Sequence, residues 1–375
     1  MPKQANKAPR DVPETSAGDK PRGRLEKSLK WVGGITAILS LIFGLSQLAH
    51  LVSDARERQR LVAELVAVGK AQQDARNYPA AWTSFEQALK RAEEGATIAK
   101  LIGQLGEERR HLREAQEDLA MAWLENIRIS KDQKFSDIVD SVLPTLVRGA
   151  AAAGGTRKAD LLAHVGWAYF LKARDGNGDL NPERQYRAAL QIDPSNPYAH
   201  AYLGHWTMWK RDKLEGATQH FSAALASRRV PDYVRGIQLA ALKNLGSEAD
   251  GEFLRVVNDM RKNNEKIDAA TRRDVYAIYY FDVWGHKDIQ RLTAAVPATE
   301  QIALVRALFD AADYSSHIPP EAYLAILQEA AGQRDEALKT WLAVRSRLPA
   351  DASDTVVTRA DAAIRRLSAL SLIHI

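Results

Sequence analysis

The sequence predicts an all-α protein: one membrane-crossing helix followed by a body of stacked helix-turn-helix repeats. Three observations lead there. Trp31 to Ser53 carries no charged side chain over 23 residues. From residue 56 onward apolar residues recur at helical spacing, without the alternating β-branched runs that mark strands. Along that body, a small residue followed by a large ring comes back several times.

Composition limits the alternatives. The chain has 375 residues, 46% hydrophobic and 26% charged, which is an ordinary globular balance. That excludes a wholly disordered chain and a multi-span membrane protein. Cysteine is absent, so disulfides, thiolate metal sites and cysteine nucleophiles are excluded. The formal charge is +5, but residues 1–30 hold eight basic and four acidic side chains, net +4. The body is close to neutral, which argues against nucleic acid as a partner.

Residues 1–30 read as a disordered basic tail. The segment is rich in charge, proline and glycine and has no periodic apolar face. Residues 31–53, WVGGITAILSLIFGLSQLAHLVS, read as an uncleaved transmembrane helix. At 1.5 Å per residue they span about 34 Å, against a bilayer core of about 30 Å. A signal peptide is the weaker reading, because the leader is long and the small-residue site Ser53-Asp54-Ala55 falls outside the apolar run. Five basic residues (Lys20, Arg22, Arg24, Lys27, Lys30) precede the span and three (Arg56, Arg58, Arg60) follow it. The positive-inside rule then places the N-terminus in the cytoplasm and the body across the membrane. The expectation is a single-pass cell-membrane protein, of the bacterial inner-membrane kind, in contact with lipid through the span. Gly33 with Ala37, or Ser40 with Gly44, gives small-xxx-small spacing through which two spans could pair as a homodimer.

Residues 56–375 form the repeat domain. In LVAVGKAQQDARNYPAAWTSFEQALK, Gly69 is followed by Ala81, Phe85 and Ala88. A second unit has Val165, Gly166 and Tyr169, then, after a longer loop, Tyr186, Ala189 and Pro194. A third has Leu203 and Gly204, then Ala217, Phe221 and Ala224. A fourth has Gly332, Ala337, Trp341 and Pro349. The units fall at about 62–95, 159–196, 197–231 and 318–351. Helical pairs with worn motifs fit 96–150, 231–265 and 268–315, and a last helix at about 352–371 would cap the stack.

These residues resemble the tetratricopeptide repeat, a 34-residue helix-turn-helix with the pattern W-x2-L-G-x2-Y…A-x3-F…P. The resemblance implies a right-handed superhelix of stacked hairpins, preceded here by the one transmembrane helix. It implies protein partners, because one hairpin cannot bury its apolar face and stacking creates a large concave surface. It implies no reaction and no cofactor. Some members of the family bind C-terminal carboxylates through Lys and Asn on the first helices. The first unit here offers Val66, Lys70 and Gln73, of which only Lys70 fits.

No phosphate loop, dinucleotide fingerprint, HExxH zinc motif or nucleophile elbow is present, and the chain is not expected to be an enzyme. His164, His200, His205 and His220 fall in adjacent units. Their spacing suits polar positions in the core or groove better than a metal site. Asp175, Asn177 and Asp179 alternate as at the start of a calcium loop. Leu180 stands where that loop needs glycine and Tyr186 where it needs glutamate, so a glycine-rich turn is the stronger reading and calcium the weaker.

Candidate partner-binding residues come from an aromatic stripe. Tyr198, Tyr202, His205 and Trp209 run i, i+4, i+7, i+11 along one helix and share a face, and Trp167 of the preceding unit is placed to join them. Two readings stand: a groove that captures a peptide through aromatic anchors, or rings packed between hairpins. Tyr276, Tyr279, Tyr280, Phe281 and Trp284 cover all faces of their helix and are expected in the core. The function expected is a membrane-anchored scaffold binding other proteins through its concave surface. The alternative is a cytoplasmic-facing docking or regulatory subunit of a membrane enzyme complex.

Overall fold

The computed structural model describes residues 22–94, 105–127, 134–176, 181–210, 214–285, 289–309, 318–348 and 354–371. Side chains are described from residue 43 onward, apart from positions 48, 105, 106, 108, 354, 370 and 371. Every regular element among them is helical. The chain divides into two compact units, 1–112 and 113–375, and the division falls inside one helix, Leu105–Glu125.

In the first unit, α1 (Arg22–Asp74) and α2 (Tyr78–Glu94) form a hairpin. The α1 helix ends in a left-handed turn. Asn77 N donates to Gln72 O at 2.8 Å and Arg76 N to Gln73 O at 2.8 Å, with Arg76 at φ 57°. This closes the last carbonyls of the helix before the chain reverses. A Cβ on Gly69 would lie 2.9 Å from the Phe85 ring, so only glycine lets the two helices approach this closely. Ser84 Oγ donates to Gln72 Oε1 at 2.8 Å across the hairpin. The backbone of the expected span, Trp31 to Ser53, is continuous helix within α1. Most of its side chains lie outside those described, and so does the expected tail up to residue 21. Among the described residues no helix is long and apolar enough to cross a membrane.

The second unit begins within α3 (Leu105–Glu125) and continues through α4 (Ser136–Ala152), α5 (Gly155–Arg174), α6 (Pro182–Ile192), α7 (Pro197–Trp209), α8 (Leu214–Ala226) and α9 (Pro231–Leu245). A 3-10 turn, Gly246–Ala249, leads into α10 (Asp250–Lys262). Then come α11 (Ala269–Ile278), a π-helical turn (Tyr279–Trp284), α12 (Ile289–Ala295), α13 (Ala298–Leu308), α14 (Pro320–Ala330), α15 (Arg334–Arg347) and α16 (Asp354–Ser371). Neighbours pack in pairs: α5 with α6, α7 with α8, α14 with α15. The α5 helix also meets α7, and α16 packs on α15.

Helix starts follow local chemistry. Pro182, Pro197, Pro231 and Pro320 open their helices, where a missing N–H costs nothing. Asn181 and Asn196 cap α6 and α7 by accepting from Glu183 N and Ala199 N, and Asp268 caps α11 by accepting from Thr271 N. The small-residue and ring pattern sets the packing within pairs. A Cβ on Gly166 would lie 2.5 Å from the Tyr186 ring, and one on Gly204 would lie 3.0 Å from Phe221. Ala81, Ala217, Ala337, Phe85, Tyr186, Phe221 and Trp341 are all buried.

Two expectations change in detail. Gly332 does not sit at a helix crossing. It holds φ 75° in the α14–α15 turn, where Gln333 N reaches Gln328 O at 2.8 Å. Ala325, buried and 16 residues before Trp341, stands at the spacing of Gly69 from Phe85. Residues 268–315 are not one regular hairpin either. They break into α11, the π turn, the seven-residue α12 and α13. Within the π turn Tyr280 and Phe281 are exposed while Tyr279 is buried. The aromatic cluster expected in the core is therefore split between core and surface.

Candidate functional site

The α7 helix carries Tyr198, Tyr202, His205 and Trp209 on one face, as its spacing requires, and that face lies against α5. Trp167 of α5 stacks on Tyr202 at 4.7 Å between ring centroids, with 11° between planes. It also stacks on Phe170 at 5.0 Å. The His205 ring sets its edge against Trp167 at 5.1 Å and Phe170 at 4.9 Å. Trp167, Tyr202 and His205 are at most 1% exposed. These three belong to the interior and not to an open groove, because the stripe that would line a groove is covered by the preceding first helix. Tyr198 is partly buried, and Trp209, at 43%, is the exposed end of the stripe.

Burial sets the electrostatics of the block. Neither ring nitrogen of His205 has a hydrogen-bond partner among the described residues. Its pKa is lowered to about 4 by burial, so it stays neutral. The Tyr202 hydroxyl shares a 2.8 Å hydrogen bond with Tyr233, and burial pushes its phenol far above the usual range. His164 is fully buried, with Nδ1 2.8 Å from the Asp160 carbonyl and Nε2 3.1 Å from Glu125. Tyr198 is held upward first by burial and then by the Glu125 carboxylate.

A polar rim closes around this interior. Asp160 accepts from Asn196 Nδ2 at 2.6 Å and from Arg229 at 2.5 Å, and Arg229 also lies 3.7 Å from Asp193. Near the open end, Trp209 rests on the edge of Phe170 at 5.2 Å. Trp206 Nε1 donates to Glu183 at 3.3 Å, and Lys210 lies 5.7 Å above the Trp206 ring. The Arg187 guanidinium beside Glu183 holds its carboxyl below the usual range. The surface thus offers one large ring set on Phe170, a half-covered second ring, and Lys210, which lies over that second ring and 3.6 Å from Glu183. Such an arrangement can anchor a side chain of another protein. It places no accessible base beside a nucleophile.

The sequence pattern missed Phe170 and Tyr233, and it set Trp206 off the stripe as a core residue, whereas Trp206 is partly exposed. Phe170 lies three residues after Trp167, a helical neighbour that could have been read as part of the block. Tyr233 has no local signal, because its partner Tyr202 is 31 residues away.

His200 and His220 face each other with Nδ1 atoms 3.1 Å apart, and His200 Nε2 reaches the Pro194 carbonyl. Among the described residues no group of three His, Cys, Asp or Glu side chains could hold a metal ion. Of the calcium candidates, Asn177 and Asp179 lie outside the described residues. Asp175 Oδ2 accepts from Phe135 N at 2.6 Å and from Ser136 N and Oγ at 3.0 Å. It caps the start of α4 from the end of α5.

Comparison with family models, with curated proteins and with solved structures gives no match.

Proposed function

We propose that this chain is a membrane-anchored scaffold that binds other proteins through a superhelix of tetratricopeptide-like hairpins. The observation that carries the reading is the threefold recurrence of one close approach: Gly69 to Phe85, Gly166 to Tyr186 and Gly204 to Phe221. That contact is the packing logic of stacked helical hairpins, which present broad rigid surfaces at little ordering cost. Membrane anchoring is supported by the uncharged run Trp31–Ser53 and by the continuous helix that contains it. The stack is right-handed, and its exposed Trp209, with Trp206 and Lys210, is the surface assigned to partner capture.

Two experiments test this. The full-length chain is purified from its native membrane and its co-purifying proteins are quantified. A stoichiometric partner that is lost with Trp209→Ala, while the melting temperature holds, supports the scaffold. A chain that purifies alone overturns it. Topology is read separately. The chain has no cysteine, so Ser222→Cys on the exposed face of α8 provides a single thiol. Labelling of intact cells by a membrane-impermeant reagent is expected, with the body outside the cytoplasm. Labelling only after lysis reverses the orientation and favours a cytoplasmic docking subunit.

A further inference from the structure

The second unit holds a cavity of about 580 Å³ between α9, the 3-10 turn, α10, α11, the π turn and α12. Its size is in the range of ligand pockets, about 300–1,000 Å³. The walls mix apolar and charged side chains. Phe253, Ile278 and Phe281 supply the apolar part. Lys243, Asp250, Asp274, Asp282 and Arg291 supply the charge.

The charges do not balance. Lys243 Nζ is 2.6 Å from Asp274. Arg291 is 3.5 Å from Asp282 and also donates to the Ser247 carbonyl. Asp250 is a third carboxylate against two cations, and it lines the cavity near enough to Asp282 and Arg291 for both charges to act on it. Two carboxyls this close repel each other when both are ionised, and a third cation would relieve that repulsion. Beside them Phe281, 60% exposed, stands at the mouth on the π turn. An aromatic face next to a surplus carboxylate suits a cation on an aliphatic stem, since the stem packs on the ring and the charge reaches the acid.

We propose that this cavity receives a basic side chain, arginine or lysine, from a protein partner, with Asp250 and Asp282 taking the charge and Phe281 the stem. The inference deepens the scaffold reading and rests on it. It names the chemistry of a second anchoring point, apart from Trp209.

The pocket carries its own pH signature. Burial, and after it Asp282, raises Asp250 to about 6. Lys243, Asp274, Asp282 and Arg291 are the charged groups that line the cavity with it. A cation that binds the ionised pair must expel the proton. Its affinity then falls about tenfold from pH 7.5 to pH 5, as only about a tenth of a group with this pKa is ionised at pH 5.

The test uses the full-length chain in detergent, titrated with N-acetyl-arginine amide and, as a neutral control, N-acetyl-norleucine amide. The arginine compound is expected to bind at pH 7.5, to weaken about tenfold at pH 5, and to be preferred over norleucine at least tenfold. Asp250→Asn should weaken it at least tenfold and flatten the pH profile. Phe281→Ala, at an exposed ring, should weaken it several-fold and leave the profile intact. Melting temperatures no lower than that of the native chain certify both variants. No binding at pH 7.5, equal binding of norleucine, or an Asp250→Asn chain that binds as the native one overturns the proposal. If arginine fails to bind while Trp209-dependent capture persists, only this pocket is refuted. If capture fails while arginine binds, only the scaffold surface is refuted.

Discussion

Residues 155–226 and residues 246–309 carry comparable helical patterns, yet they are finished differently. In the first stretch, Gly166 and Gly204 let helices close until ring meets ring, and Trp167, Tyr186, Tyr202 and Phe221 have no solvent contact worth the name. In the second, a 3-10 turn and a π turn interrupt the helices, Phe281 stands in solvent, and carboxylates face a cavity. The difference teaches that the small-residue and ring pair does more than permit a hairpin. It fixes the separation of the helices, and where it is missing the backbone finds local solutions that leave room for polar groups. π turns are uncommon and gather at functional sites, and this less regular stretch is the one whose cavity is lined by five charged side chains.

That contrast can be broken by truncating one ring in each region. Tyr186→Ala should cost about 3–5 kcal/mol, because a fully buried ring leaves a cavity that its neighbours cannot fill. Phe281→Ala should change stability by no more than about 0.5 kcal/mol. Chemical denaturation of both variants reads the difference. Similar losses would mean the two regions are packed alike.

Acid should act on the two regions with opposite sign. His205, lowered to about 4 by burial, contributes stability that is present above pH 6.5 and lost as pH falls through 4. The full effect is about 3 kcal/mol for a shift of this size. Asp250, raised to about 6 by burial and Asp282, contributes in the other direction: its stabilising share is present below pH 4 and lost as pH rises through 6. Between pH 4 and 7 the stability of His205→Leu should therefore fall with rising pH relative to the native chain, and that of Asp250→Asn should rise. His205→Leu should also be tolerated at neutral pH, since it replaces ring nitrogens that have no partners. A pH profile unmoved by either change would remove this electrostatic contrast.

Glycine substitutions sharpen the comparison further. A methyl at Gly166 runs into the rigid Tyr186 ring and should cost about 1–3 kcal/mol. A methyl at Gly251 would come within 2.7 Å of the Ala295 Cβ. There the neighbour is the end of the short α12, which can shift, so the loss should be smaller. Equal losses by thermal melting would show that the second region is as unyielding as the first. The smallest effect is expected at Asp175. Asp175→Ala removes the cap from α4 and should cost about 1 kcal/mol.

Much of this was legible in the sequence, and the limits have physical causes. The hairpins at 62–95, 159–196, 197–231 and 318–351 follow from local signals: helix periodicity, prolines at first turns, and small residues at crossing points. The place of the stripe did not follow. Spacing puts Tyr198, Tyr202, His205 and Trp209 on one face but does not say what that face meets. Ring size and polarity suited a groove and a core equally. The helix that buries Tyr202 and His205 comes from the preceding unit. Asp175 likewise reads from sequence as part of a glycine-rich turn, with a calcium ligand as the weaker alternative, because its role as a cap depends on Phe135 and Ser136, about 40 residues earlier.

The sequence by itself determined that the body is helical, where its hairpins turn, and that Trp31 to Ser53 is free of charged side chains. Those properties are set by neighbours within one or two turns, so one-dimensional pattern suffices. Only the tertiary structure decided which ring is buried, that Asp250 meets Asp282, and that Phe281 faces outward. Those outcomes depend on contacts between helices far apart in the chain, and on the π turn in which Phe281 and Asp282 lie.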